Sequence, residues 1–288
     1  MYIIILVKLH DVFYRNSGKR GVANVRVFPS PLFHDGFFHH YWQKKPLLMR
    51  KAVSPPTELV TKSRLFSLAC GSEDVESRLI IEHGETPWEA HHGPFEAGEL
   101  EQLPASHWTL LIQDMNRHVP EISSLLDAFN EIPQWRIDDI MISYAVDQGS
   151  VGPHSDEYDV FLIQAEGRRR WKIHQQPLTG DDLIPGLDLK ILKTFDTGME
   201  WLLEPGDMLY LPPNVAHWGV AEGECITWSV GFQGPALDDL SSHWLEHRLA
   251  TLPPLRYSDP DLGMQPHSGE ITPAAIANIK GMLQKALD

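Results

Sequence analysis

Two cysteines in 288 residues, Cys70 and Cys225, are too few and too far apart for a disulfide framework or a CxxC pair. Their scarcity excludes a disulfide-stapled scaffold and a thiolate zinc ribbon, and it fits a reducing compartment. Long hydrophobic runs are missing too. The apolar start, Tyr2 to Val7, is far shorter than the ~20 residues a helix needs to cross a bilayer, and no basic stretch precedes it as in a secretory signal. Basic residues are the scarcer sign of charge, 24 Lys and Arg against 39 Asp and Glu, for a net charge of −15. A surface that grips phosphate backbones is basic, so direct nucleic-acid binding is not expected, whereas a basic protein partner would suit this charge. The expectation is a soluble cytoplasmic protein with no membrane attachment.

What is present points to a folded, strand-rich chain. Hydrophobic residues make up 42% and charged residues 22%, outside the range of disordered sequences. The 21 Gly and 22 Pro favour turns and short strands over a helix bundle. Phe33, Phe37, Phe38 and Tyr41-Trp42 have helical spacing, ended by Gln43 to Pro46, and Leu47-Leu48-Met49 follows as a strand. Between Pro55 and Arg136 the pattern predicts mainly helix, with further helical turns at Ser123 to Phe129. From Ile140 the period becomes two: Ile140, Ile142, Tyr144 and Val146 alternate with Met141, Ser143 and Ala145 and run into the turn Gly149 to Pro153. Val160 to Gln164 and Arg169 to Ile173 read as a hairpin turning at Ala165-Glu166-Gly167. Ile191 to Phe195, Trp201 to Leu203, Met208 to Leu211 and Cys225 to Phe232 read as further strands. Many short strands at this spacing imply a barrel or sandwich. After Leu237 the chain turns helical, with Leu240, Trp244 and Leu245 as an apolar stripe and a last helix from Pro273 to Leu287. No internal repeat is present.

His154 and Asp156, two apart directly after a Gly-rich turn, project from one face of an extended backbone. His217 follows another strand and turn, Tyr210 to Asn214. Two histidines and one carboxylate meeting in a barrel form a facial triad that leaves three positions open on an octahedral metal, as a non-haem Fe(II) oxygenase requires. A His-x-Asp pair by itself occurs often by chance, and His39, His40, His91, His92 and His118, without such a carboxylate partner in a strand context, read as solvent-facing. Arg169, in Gly167-Arg168-Arg169-Arg170-Trp171-Lys172-Ile173, faces inward if Trp171 and Ile173 do. A buried guanidinium needs a carboxylate: either a protein acid, or the distal carboxylate of 2-oxoglutarate held by a bidentate fork.

These segments, with Ile137 to Ser143, Val151 to Phe161, Glu204 to Pro213, Tyr41 to Pro46 and His92 to Phe95, closely resemble the bacterial ribosomal oxygenases, JmjC-type 2-oxoglutarate oxygenases of cupin fold. The resemblance extends from about Phe33 to near the C-terminus and is strongest to members that hydroxylate an arginine β-carbon (C3) in a 50S ribosomal protein. It implies a mainly β fold with flanking helices. A poorly defined segment, residues 1–30, would precede a double-stranded β-helix barrel with an N-terminal helical elaboration over 31–235. A helical dimerisation region would follow at 236–288, with the family's usual C-terminal winged-helix-like domain absent. It further implies Fe(II) held by His154, Asp156 and His217, 2-oxoglutarate anchored by Arg169, succinate and CO₂ as by-products, a homodimer, and a basic 50S protein substrate. Asp147, Glu157 and Asp159 fall near the expected pocket mouth, where they would receive the substrate guanidinium. Two other readings stand beside this one: a cupin metalloenzyme that does not use 2-oxoglutarate, and a truncated metal-binding interaction module.

Overall fold

A computed structural model describes residues 33, 35–83, 86–174, 183–186, 189–265, 267 and 269–287; residues 1–30 lie outside them. The chain divides into two compact units, one ending at residue 233 and the other beginning at 234.

The first unit is built on one nine-stranded antiparallel sheet. Its strands are β1 (Leu47–Met49), β2 (Ser77–His83), β3 (Thr86–His92), β4 (Trp108–Ile112), β5 (Ile137–Ala145), β6 (Asp159–His174), β7 (Thr197–Leu203), β8 (Met208–Leu211) and β9 (His217–Phe232). They run in the order β1-β8-β6-β9-β5-β4-β2-β3, and β7 pairs with the far half of β6. Helices α1 (Asp35–His40), α2 (Lys62–Gly71) and α3 (Met115–His118) belong to the same unit, with a 3-10 segment at Pro120–Phe129.

The central strands are buried on both faces, and their period of two separates a core face from a face that lines a cavity. On one face Ile140, Ile142, Phe161, Ile163, Trp228, Val230 and Phe232 join Phe33, Phe37 and Phe129 in the main core. On the other, Met141, Ser143, Val160, Leu162, Thr227 and Ser229 line a cavity. Asp159, at the first residue of β6, is fully buried. It accepts from the Tyr210 hydroxyl at 2.6 Å, Gln43 Nε2 at 2.9 Å and Arg136 Nη2 at 3.2 Å, which answers its charge.

Three expectations require correction. The stretch from Pro55 to Arg136 is not mainly helical, since it contains β2, β3 and β4. In β2, Leu79 and Ile80 are both buried, so the strand shows no clean alternation. The expected hairpin at Ala165 to Gly167 does not exist, because β6 runs unbroken for 16 residues along β9. Gly167 adopts φ 64° and the register shifts on both sides of Glu166, so the glycine marks a bulge and not a chain reversal. Ile191 to Phe195 is not a strand either: only Leu192 forms an isolated bridge, to Leu183, although Ile191 and Leu192 are both buried. The short strand at Leu47 to Met49, the strands β7 and β8, and the turn at Glu204 to Asp207 are as expected.

The second unit holds α4 (Leu237–Thr251) and α5 (Pro273–Leu287). The expected stripe of Leu240, Trp244 and Leu245 lies on α4 with all three side chains exposed, and Ile276, Ile279 and Leu283 of α5 are exposed as well. Among the described residues no helix is long and apolar enough to cross a membrane.

Candidate metal centre

His154 and His217 are held opposite each other by the backbone. His154 N donates to His217 O at 3.0 Å and His217 N to His154 O at 2.8 Å, an antiparallel bridge between the turn after β5 and the start of β9. Asp156 joins them from the same turn, its carbonyl accepting from Asn214 N at 2.7 Å. One ligand atom from each of His154, Asp156 and His217 lies within 4.8 Å of the others, the one such cluster among the described residues. Asp156 stands 4.0 Å from His154 Nε2 and 3.7 Å from His217 Nε2.

The imidazoles are oriented for a metal. His154 Nδ1 faces Gly152 O at 2.9 Å and His217 Nδ1 faces Val215 O at 2.9 Å. A carbonyl only accepts, so both Nδ1 atoms carry the proton, leaving each Nε2 lone pair free to ligate. Burial, reinforced by neighbouring His154, pushes the His217 pKa down to about 4, so this ring is neutral at pH 7.

Arg169 opens on the same cavity, of about 420 Å³, from the middle of β6. It is 2% exposed, as are its neighbours Trp171 and Ile173 at 4% and 1%, while Arg168, Arg170 and Lys172 turn outward and Arg170 pairs with Glu200 and Glu222. Arg169 Nη1 donates to Ser143 Oγ at 3.2 Å and Nη2 to Gly219 O at 3.3 Å. Its guanidinium carbon sits 5.2 Å from the Trp171 ring centroid. No carboxylate among the described residues forms an ion pair with it, and neither its Nε nor Trp171 Nε1 has a partner there. Burial pulls its pKa below the ordinary arginine value. The pocket thus pairs a metal-ligand set with a buried cation that no acid among the described residues neutralises.

The acids expected at the mouth are placed differently. Asp159 is sealed in the network described above, on the side of Tyr210 and Arg136, because its strand position turns it away from the cavity. Asp147 accepts from Gly223 N at 2.8 Å and does not line the cavity. Glu157 is exposed, 3.9 Å from Lys190, which does line it. The acid that lines the cavity besides Asp156 is Asp139, with Tyr158, Met141 and Ser229 beside it. Burial, and then the charges of Asp138, Asp114 and Glu76, raise the Asp139 pKa to about 6 against a hydrogen bond from Asp114 N. The period of two held the signal for Asp139, since residues 139, 141 and 143 share one face of β5. Of the histidines set aside, His39, His40, His91 and His92 are exposed, and His118 is half-buried.

The JmjC domain family matches residues 124–240. The Escherichia coli ribosomal protein uL16 3-hydroxylase is 36% identical over 253 residues, 88% of this chain and 66% of that protein. A probable ribosomal oxygenase of Haemophilus influenzae is 34% identical over 263 residues, 90% of this chain and 65% of its own. The chain therefore spans about two thirds of the length of these curated relatives. The crystal structure of E. coli YcfD superposes with a TM-score of 0.74 at 36% identity, over 86% of this chain and 66% of that one. A second structure, of YcfD with cobalt and 2-oxoglutarate, gives a TM-score of 0.71 at 34% identity, over 88% and 66%.

Proposed function

Because the chain belongs to the JmjC ribosomal oxygenase family, we propose that it is a cytoplasmic Fe(II)- and 2-oxoglutarate-dependent protein hydroxylase that places one oxygen on C3 of an arginine in a 50S ribosomal protein. The name of the E. coli relative points to uL16 as that protein. The observation that carries the reading is Arg169: a buried guanidinium with no carboxylate partner among the described residues, in the cavity that also holds His154, Asp156 and His217.

The residues fit the implied groups. The donor set is two imidazoles and one carboxylate, with both Nδ1 atoms already engaged by backbone carbonyls, as a 2-His-1-carboxylate Fe(II) site requires. When bound, Fe(II) with 2-oxoglutarate and O₂ supplies the oxidising power to hydroxylate an unactivated C–H bond, with succinate and CO₂ released. The protein does the placing. His154, Asp156 and His217 would hold the metal from one side. Arg169 and Ser143 would receive the distal carboxylate of 2-oxoglutarate, and Val160, Leu162 and Trp171 wall that part of the cavity against water. Asp139 would answer the substrate guanidinium, with the Tyr158 ring and Met141 against its stem. The net charge of −15 favours encounter with a basic ribosomal protein. The exposed apolar residues of α4 and α5 support a homodimer built on 236–288.

Mass spectrometry of a uL16 arginine peptide incubated with the protein, Fe(II), 2-oxoglutarate and ascorbate tests the proposal. The expected result is a gain of one oxygen on the arginine that disappears with His154→Ala. Succinate formed without peptide oxidation would leave the cofactor assignment standing and refute the substrate. Binding of 2-oxoglutarate that survives Arg169→Ala would favour a metalloenzyme that does not use it.

A further inference from the structure

The two imidazoles of the metal centre sit on separate pieces of chain, and one buried hydroxyl ties these pieces together. Ser150 is 1% exposed. Its Oγ accepts from Gly152 N at 3.1 Å and from Trp218 Nε1 at 2.9 Å. Gly152 is the residue whose carbonyl fixes the His154 tautomer, and Trp218 directly follows His217. A continuous path of hydrogen bonds therefore runs from His154 Nδ1 through Gly152 and Ser150 to the indole beside His217.

We infer that Ser150 is a positioning residue for the metal centre, its hydroxyl bracing the turn that carries His154 against the indole next to His217 and so supporting the backbone bridge between the two. This rests on the metal-site reading above. The backbone stitches the same segment to β9 only at its ends: Gln148 N to Ala221 O at 3.0 Å and Ala221 N to Gly149 O at 3.0 Å on one side, His154 with His217 on the other. Between those ends Ser150 supplies the side-chain link. Both of its partners are themselves fixed. Gly152 adopts φ 81° with its Cβ position filled by Ile191, 2.8 Å away, so the turn has little freedom to move toward that side. The Trp218 ring lies against Phe195 and 4.6 Å from Lys172 Nζ. Groups that orient metal ligands typically control affinity by 10–100-fold, because a misaimed imidazole loses the bond without losing the fold.

The test uses the full chain, made metal-free and titrated anaerobically with Co(II), with calorimetry for the Kd and visible absorption for the ligand field. Ser150→Ala removes both bonds and should raise the Kd by about tenfold or more and alter the Co(II) bands. Trp218→Phe keeps the Gly152 bond and should raise the Kd by a smaller factor than Ser150→Ala does. Unchanged Kd and spectrum in both variants would overturn the inference while leaving the metal site intact. Should Ser150→Ala fail to fold, Trp218→Phe decides alone, and a wild-type Kd there overturns it. A wild-type protein that binds no Co(II) would sink the metal-site reading and this inference with it.

Discussion

Arg169 donates from Nη2 to the carbonyl of Gly219 at 3.3 Å, and the missing side chain of that glycine is what makes room for it. A Cβ on Gly219 would stand 2.8 Å from Arg169 Nε and 2.7 Å from the Trp171 ring. Gly219→Ala should therefore shift the guanidinium and weaken 2-oxoglutarate by about tenfold, roughly the loss of one well-placed charged hydrogen bond. Calorimetric titration with 2-oxoglutarate at saturating Co(II) checks this, with Co(II) affinity itself expected to hold.

Replacing the cation separates its two effects. Arg169→Met keeps much of the volume and removes a buried charge that no carboxylate among the described residues answers, so the ligand-free protein should melt higher than wild type. The same change should cost 2-oxoglutarate about 2–5 kcal/mol of binding, a loss of some ~30-fold or more. A lower Tm together with unchanged 2-oxoglutarate affinity would show that Arg169 serves the fold.

Much of this site was legible in the sequence because its chemistry lies on period-two strands beside glycine-rich turns. His154, Asp156 and His217 are brought together as their spacing implied, and Arg169 faces inward with Trp171 and Ile173. The pocket-mouth acids were less legible. Asp159 belongs to a strand buried on both faces, so nearness to His154 in sequence did not tell which face it takes, and Tyr210 and Arg136 claim it. Gly167 misled for a related reason. Glycine at positive φ serves a bulge as well as a hairpin turn, and only the pairing of β6 with β9 along its length distinguishes them. The strands β2 and β4 were lost among Gly and Pro breaks because burial on both faces erases their alternation.

Asp139 gives a pH-dependent prediction. Its pKa rises to about 6 in the folded protein from an ordinary 3.8, so the fold holds the extra proton between these values and loses stability as pH climbs from one to the other. Asp139→Asn should melt with wild type at pH 4 or below and higher than wild type at pH 8, by roughly 5–10 °C. Peptide KM should rise several-fold at pH 8 while turnover of 2-oxoglutarate without peptide is retained.

Gly167→Ala tests the bulge. The residue holds φ 64°, and an added Cβ would come within 2.1 Å of Glu224 O on the paired strand. A cost of about 2–3 kcal/mol is expected, read as a lower urea midpoint.

The unbroken run of β6 against β9 has a kinetic meaning. Amide exchange is slowest where a strand is paired and buried along its length, and loops open at far lower free energy. Arg169 and His217 ride on these paired strands, which are expected to exchange slowly, whereas His154 and Asp156 belong to the turn beside them. Once the bonds that pin it give way, local opening of the 148–156 segment would release two of the three donor side chains before the strands that carry Arg169 separate. In deuterium exchange the metal should slow that turn far more than it slows the strands on which it rests.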